Sequence, residues 1–67
     1  MNVVVNSKQE SLTNGSVLED LLRLKELWEV KGIAVAVNGN VISKAEWSLT
    51  KLFENDQITV ITATQGG

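Results

Sequence analysis

The sequence predicts an α+β domain in which a mixed sheet of about five strands packs on one main helix. Three features of the chain support this fold class. β-branched runs lie near both ends and in the middle of the chain, and one segment has apolar residues at helical spacing. Turn dipeptides such as Asn38-Gly39 separate these runs. With 67 residues the chain is long enough for one domain and too short for a second.

The first two strands are predicted to form a hairpin. Residues 2–6 alternate, so that Val3 and Val5 lie on one face of the strand and Val4 lies on the other. A polar turn follows, and residues 9–12 can return as a short second strand.

The main helix is predicted over residues 17–29. Ser16 followed by Glu19 is typical of a capping box, in which the hydroxyl accepts from a first-turn N–H and the carboxylate reaches back. Gly32 is a plausible stop signal after the last turn. Apolar positions recur along one face of this segment: Val17, Leu21, Leu24 and Trp28. We therefore expect Leu21 and Trp28 to be buried.

The second half of the chain predicts another hairpin. Residues 33–37 form an almost continuous apolar run, which favours a strand covered on at least part of both faces. Asn38-Gly39 is a strong hairpin signal because both turn positions require positive φ. Residues 41–43 form the short returning strand.

The last part of the chain is a linker followed by a final strand. Residues 44–53 fit either a loop or a short helical turn that Trp47 and other apolar side chains anchor in the core. The Asn55-Asp56 turn precedes residues 57–63, where Thr alternates with Ile and Val.

These elements occur in the order ββαββ, linker, β. The chain closes if the last strand lies between the first and third strands, parallel to the first. That arrangement is the β-grasp, or ubiquitin-like, fold. We therefore predict a β-grasp domain over residues 1–63, followed by a flexible reactive tail over residues 64–67.

The composition argues against self-contained catalysis. The chain has no Cys and no His, so it lacks a thiol nucleophile, a thiolate zinc site and the usual general base near neutral pH. The net charge of −2 makes it a poor binder of nucleic acid. No apolar run approaches the roughly 20 residues of a membrane span. We expect a cytoplasmic protein that is not an enzyme and binds no cofactor of its own.

The terminal Gly66-Gly67 pair is the feature that most needs a functional explanation. Four residues beyond the final strand reach roughly 13–14 Å when extended, which is enough to enter the active-site channel of another protein. Gln65 and Gly66 would thread that channel, and the missing Cβ of glycine allows it to be narrow. The carboxylate of Gly67 is a poor electrophile. It requires activation, most simply as an acyl-adenylate that a partner forms from ATP, before a sulfur nucleophile can convert it to a thiocarboxylate.

Several segments resemble one known family. The run from Ala34 to Gly39, followed by Val41 to Trp47, is similar to the middle of the ThiS family of sulfur carriers in thiamine biosynthesis. The turn before the last strand and the ending from Ile58 to Gly67 continue the resemblance. Asn55 stands where this family usually has Gly, and Ser43 where Pro is common.

The resemblance implies a function and its partners. A ThiF-type E1-like adenylyltransferase would activate the terminus that matches Gly67, using ATP. A sulfur-donating protein would supply the sulfur, and the thiocarboxylate would deliver it to thiazole synthase. Docking also needs an apolar surface on the open face of the sheet, for which Val4 and Ile61 are candidates.

Two other functions remain open. The small subunit of molybdopterin synthase uses the same kind of terminus, although that family is usually longer and lacks the run from Asn38-Gly39 to Trp47. A non-covalent ubiquitin-like interaction module is the second alternative. It predicts that the terminus can be extended without loss of function.

Overall fold

The computed structural model describes residues 1–62. In this part of the chain the elements are β1 (Asn2–Val5), β2 (Lys8–Ser11), α1 (Leu18–Leu24), β3 (Ile33–Val37), β4 (Asn40–Ile42), a 3₁₀-helix (Lys44–Glu46) and β5 (Gln57–Thr62).

The strands form one sheet in the order β2-β1-β5-β3-β4. β5 is the central strand: it pairs parallel with β1 and antiparallel with β3. Two antiparallel hairpins, β1–β2 and β3–β4, complete the two sides. The predicted position of the last strand is therefore confirmed, and so is the β-grasp arrangement with one main helix.

The core lies between one face of the sheet and the helix. Alternate residues of the strands point into it, so that Val3 and Val5 are buried while Val4 between them is only partly covered. β5 repeats the pattern with Ile58 and Val60. The buried apolar residues are Val3, Val5, Leu18, Leu21, Leu22, Val35, Trp47, Leu52, Ile58 and Val60.

The helix is shorter than predicted and ends at Leu24. Glu26 adopts the left-handed conformation, with φ of 61°. The N–H of Glu26 donates to the carbonyl of Arg23 at 3.0 Å, and the N–H of Leu27 donates to the carbonyl of Leu22 at 2.7 Å. These two bonds form a Schellman motif, the common C-terminal stop of a helix. The sequence prediction was wrong here because a Glu, rather than a Gly, occupies the left-handed position.

The start of the helix also differs from the prediction. Val17 is the N-cap residue, and its N–H donates to Oδ2 of Asp20 at 2.9 Å. The hydroxyl of Ser16 donates instead to the carbonyl of Thr13 at 2.6 Å. The predicted capping box of Ser16 and Glu19 is therefore wrong by one residue, because Val17 takes the extended cap conformation while its side chain offers no acceptor.

The two tryptophans lie beside each other at the edge of the core. Trp47 is buried, and its indole N–H donates to the carbonyl of Ile42 at 3.0 Å. Trp28 follows the end of the helix and is only partly buried, so its predicted place on the helical stripe is wrong. Its ring centroid lies 6.0 Å from that of Trp47, and the Arg23 guanidinium lies over the Trp28 ring, 4.6 Å from its centroid.

Only two of the four large apolar side chains in the linker before β5 anchor it in the core. Trp47 and Leu52 are buried, whereas Leu49 and Phe53 are 77% and 64% exposed. The expectation of a short helical turn is confirmed by the 3₁₀-helix that precedes Trp47.

The β3–β4 turn is also as predicted, since Asn38 and Gly39 both have positive φ, at 51° and 85°.

Candidate functional site

The chain leaves the described part of the structure from the central strand. β5 ends at Thr62, which lies opposite Ile33 at the start of β3. Whatever follows Thr62 therefore departs from the end of the sheet where β3 begins and β4 ends. Gln65, Gly66 and Gly67 lie outside the described residues, and their role in threading and activation stays a prediction.

The start of β5 is held by a network of polar contacts. Nδ2 of Asn38 donates to Oδ1 of Asp56 at 3.0 Å, and the N–H of Gln57 donates to Oδ1 of Asn38 at 2.9 Å. The other carboxylate oxygen of Asp56 accepts from the N–H of Phe53 at 2.8 Å. Through these contacts the β3–β4 turn determines where β5 begins.

Past the last residue of β1, the backbone of β5 is bound by the side chain of Asn6. Asn6 follows β1, with φ of 48°, and its N–H donates to the carbonyl of Ile58 at 3.0 Å. The side-chain amide of Asn6 then accepts from the N–H of Val60 at 2.9 Å and donates to its carbonyl at 3.1 Å. The amide thus extends the parallel pairing of β5 past the end of β1. The strand that carries the tail is therefore held on both sides almost to its end.

The face of the sheet opposite the helix carries no charged residue on any described strand. Paired residues of neighbouring strands share a face, so the strand register identifies its members. They are Asn2, Val4, Gln9, Ser11, Ala34, Ala36, Val41, Gln57, Thr59 and Ile61. We call this surface the open face. Since the whole chain has 14 charged residues among 67, their absence here favours contact with another protein surface over simple solvation.

An apolar patch occupies the part of the open face nearest the tail. Ile61 is 62% exposed and pairs with Ala34. Val41 is 77% exposed and pairs with Ala36, two residues further along β3. We call these four residues the apolar patch. Val41 and the two alanines were not singled out in the sequence. The pairing of β3 with β5 brings the alanines next to β5, and the pairing of β4 with β3 places Val41 on the same face, two strands from Ile61.

The two predicted docking residues share the open face without touching each other. Val4 lies opposite Gln57 at the start of β5, four residues before Ile61. At about 3.3 Å per residue, the two side chains are separated by about 13 Å along the strand. Any surface that covers both must therefore extend along most of β5.

The acidic side chains of the described residues do not assemble a metal site. Within residues 1–62, no group of three or more His, Cys, Asp or Glu side chains is placed to hold a metal ion. The two carboxylates at the helix start have local partners, since Glu19 binds Arg23 and Asp20 binds the N–H of Val17. In the same part of the chain, no helix is long and apolar enough to cross a membrane.

Comparison with known proteins identifies the family. A model of the ThiS family matches residues 3–67. The chain belongs to the ThiS family. The match to the ThiS family includes the Gly66-Gly67 ending. No curated protein sequence matches the chain.

Solved structures share the fold of this ThiS-family chain. One is a crystal structure of the thiamine biosynthesis protein ThiS from Geobacter metallireducens, with a TM-score of 0.83 and 22% identity over 100% of both chains. Another is an NMR solution structure of a thiamine biosynthesis protein from Geobacter metallireducens, with a TM-score of 0.79 and 22% identity. That alignment covers 100% of this chain and 88% of the other. At this level of identity the likeness establishes the fold.

Proposed function

We propose that this chain is a sulfur carrier for thiazole formation in thiamine biosynthesis. The observation that carries the proposal is the ThiS family match over residues 3–67, because it runs through the glycine pair that would carry the sulfur. The likeness to structures described as thiamine biosynthesis proteins supports the same pathway.

The proposed chemistry takes place at the carboxylate of Gly67. One carboxylate oxygen attacks the α-phosphorus of ATP in the active site of a ThiF-type E1-like enzyme, and pyrophosphate leaves. A sulfur nucleophile from a sulfur-donating protein then attacks the acyl-adenylate carbon, and AMP leaves. The nucleophile is a persulfide of the donor, so the product of this attack is an acyl disulfide. A second thiol then attacks the donor's sulfur, which breaks the S–S bond, forms a disulfide with the donor and leaves a thiocarboxylate on Gly67. Thiazole synthase consumes this thiocarboxylate. The carrier supplies no catalytic side chain, which agrees with its lack of Cys and His.

The contacts around β5 support this role for the tail. A substrate carboxylate must reach the attacking geometry to within about 1 Å, because small misplacements cost about 10²-fold in rate. The amide of Asn6 and the network of Asn38 and Asp56 hold both sides of the strand from which the tail starts. We therefore propose that the folded domain acts as a fixed base and that the glycines supply the reach.

The open face is proposed as the surface that docks the activating enzyme. It is uncharged, so few ionic groups must lose water on contact. Val4 and Ile61 remain the docking residues proposed from the sequence, and the apolar patch adds Val41, two strands from Ile61 on the same face. Because ATP and the partner enzymes act on this chain, we place the reaction in the cytoplasm.

Intact-mass analysis tests the proposal directly. The full chain is incubated with ATP, a ThiF-type enzyme and a sulfur donor, and a control reaction omits ATP. We expect the mass increase for replacement of one oxygen by sulfur, on the C-terminal peptide alone. An unchanged mass in a mixture that modifies a known carrier would contradict the proposal and favour a non-covalent interaction module.

A further inference from the structure

A cleft lies beside the apolar patch, at the end of the sheet from which the tail leaves. Two segments line it, residues 30–34 and residues 41–44, together with Trp47. Its apolar walls include Ile33, which pairs with Thr62 at the end of β5. The cleft is therefore next to the point where the tail starts.

Two lysines give this cleft its charge. Lys31 precedes β3 and Lys44 follows β4, and both are exposed and line the cleft. Within residues 1–62 the ion pairs join Arg23 with Glu19 and Lys25 with Glu10, so neither cleft lysine has a carboxylate partner among the described residues. Within residues 1–62, no carboxylate competes with an incoming anion for these two ammonium groups.

The charge of the domain is distributed unequally along β5. Glu54 and Asp56 lie at the opposite end of the sheet, since the N–H of Asn2 at the start of β1 donates to Glu54 and Asp56 directly precedes β5. The chain as a whole has a net charge of −2. Glu29 and Glu46 lie near the two lysines in the chain but do not line the cleft. An acidic partner segment is therefore attracted locally at Lys31 and Lys44 and repelled at the end that carries Glu54 and Asp56.

We propose that this cleft binds an acidic segment of the activating enzyme, located beside the channel that receives the tail. Carboxylates of that segment pair with Lys31 and Lys44, and an apolar side chain between them packs on the walls of the cleft. The contact orients the carrier so that its tail, rather than its acidic end, faces the channel. This inference rests on the proposed sulfur-carrier function.

The proposed reaction favours a segment of the partner enzyme as the occupant of the cleft, and argues against the tail of the same chain. In the reacting complex the carboxylate of Gly67 must lie at the α-phosphate of ATP, so it cannot neutralise the two lysines at the same time. A partner segment can do so throughout the reaction. The interaction would act chiefly on the association rate, as charge complementarity usually does.

The experiment compares two double variants of the full chain that change the net charge equally. K31E/K44E reverses the cleft charges. K8E/K51E is the control, since Lys8 lies on β2 at the opposite edge of the sheet and Lys51 does not line the cleft. All four side chains are exposed, so both variants should fold. Association with a ThiF-type adenylyltransferase is followed by stopped-flow fluorescence at low and high salt.

We expect K31E/K44E to associate about tenfold more slowly than wild type at low ionic strength, with K8E/K51E close to wild type. The difference should nearly vanish at 1 M salt, where the screening length is about 3 Å. If K31E/K44E associates as fast as the control variant, or faster than wild type, the inference is wrong.

Two further readouts separate the remaining explanations. If K31E/K44E shifts the amide signals of Gly66 and Gly67 in the isolated chain while association is unchanged, the cleft binds the tail of its own chain and the inference is overturned. Sulfur loading is measured at saturating enzyme in parallel. Wild-type protein that associates but never forms a thiocarboxylate would contradict the proposed function. The association rates of the two double variants would still decide whether the cleft binds the enzyme.

Discussion

Replacing Glu26 by glycine tests where the helix ends. Glu26 has φ of 61°, a conformation that costs an L-residue with a Cβ about 1–2 kcal/mol relative to the right-handed one. Glycine removes this cost, but it also raises the conformational entropy of the unfolded chain, which offsets about 0.5–1 kcal/mol. We therefore expect Glu26→Gly to stabilise the domain by about 0.5–1 kcal/mol. For a domain of this size that corresponds to a rise in Tm of about 2–8 °C.

The sign of this change distinguishes the two models of the helix. If the helix continued to residue 29, Glu26 would lie in its interior, and glycine there would destabilise by about 1 kcal/mol. Thermal and urea unfolding followed by circular dichroism measure the difference. Glu26→Ala is the matched control: it removes the same charge near the helix C-terminus but keeps the Cβ, so it should not stabilise as glycine does. A lower Tm for Glu26→Gly than for Glu26→Ala would refute the Schellman assignment.

Three further predictions concern the core, the open face and the tail. Leu21 is fully buried, so Leu21→Ala should lower the free energy of unfolding by about 2–5 kcal/mol, measured by urea titration; a loss below about 1 kcal/mol would contradict its place in the core. Val4→Lys and Val41→Lys should each weaken binding to the ThiF-type enzyme in calorimetry without lowering Tm, and unchanged affinity would remove that residue from the docking surface. Deleting Gly67, adding a residue after it, or making Gly66→Val should abolish ATP–pyrophosphate exchange at unchanged Tm. Each change in length moves the carboxylate by about 3.3–3.6 Å, and exchange at the wild-type rate would show that this carboxylate is not the reacting group.

The strand elements could be predicted because each one is specified by neighbouring residues. Alternation in residues 2–6 determines which side of β1 is buried, and the Asn38-Gly39 pair supplies the two positive φ values of a tight hairpin. The position of β5 followed from chain connectivity. Placing it in the centre lets one helix cover the sheet while the crossover stays right-handed.

The helix boundaries could not be predicted in the same way. Ser16 and Glu19 have the spacing of a capping box, yet the extended backbone lies at Val17, and Asp20 provides the cap. At the other end, Leu27 packs against the core and its N–H bonds back to Leu22, which stabilises a left-handed Glu26. A contact with the core outweighs the local preference of Glu, and local preference is what the sequence displays.

The candidate site also has one part that the sequence could predict and another part that it could not. The role proposed for Gly66-Gly67 came from the sequence, because a pair of glycines after a predicted strand suggests reach without any tertiary contact. The apolar patch was not visible, because Val41 and Ile61 are 20 positions apart in the chain and come onto one face only by pairing with opposite sides of β3. The pairing of Lys31 and Lys44 across one cleft has the same origin.

The sequence by itself determined the fold class, the strand order and the inward face of β1. These properties follow from burying alternate apolar residues of several short strands against one helix, which leaves few possible arrangements. Only the tertiary structure decided where the helix ends and which exposed residues lie side by side on the open face. A lateral neighbour depends on strand register, and a shift by one residue would exchange the two faces of a strand while leaving its sequence pattern the same.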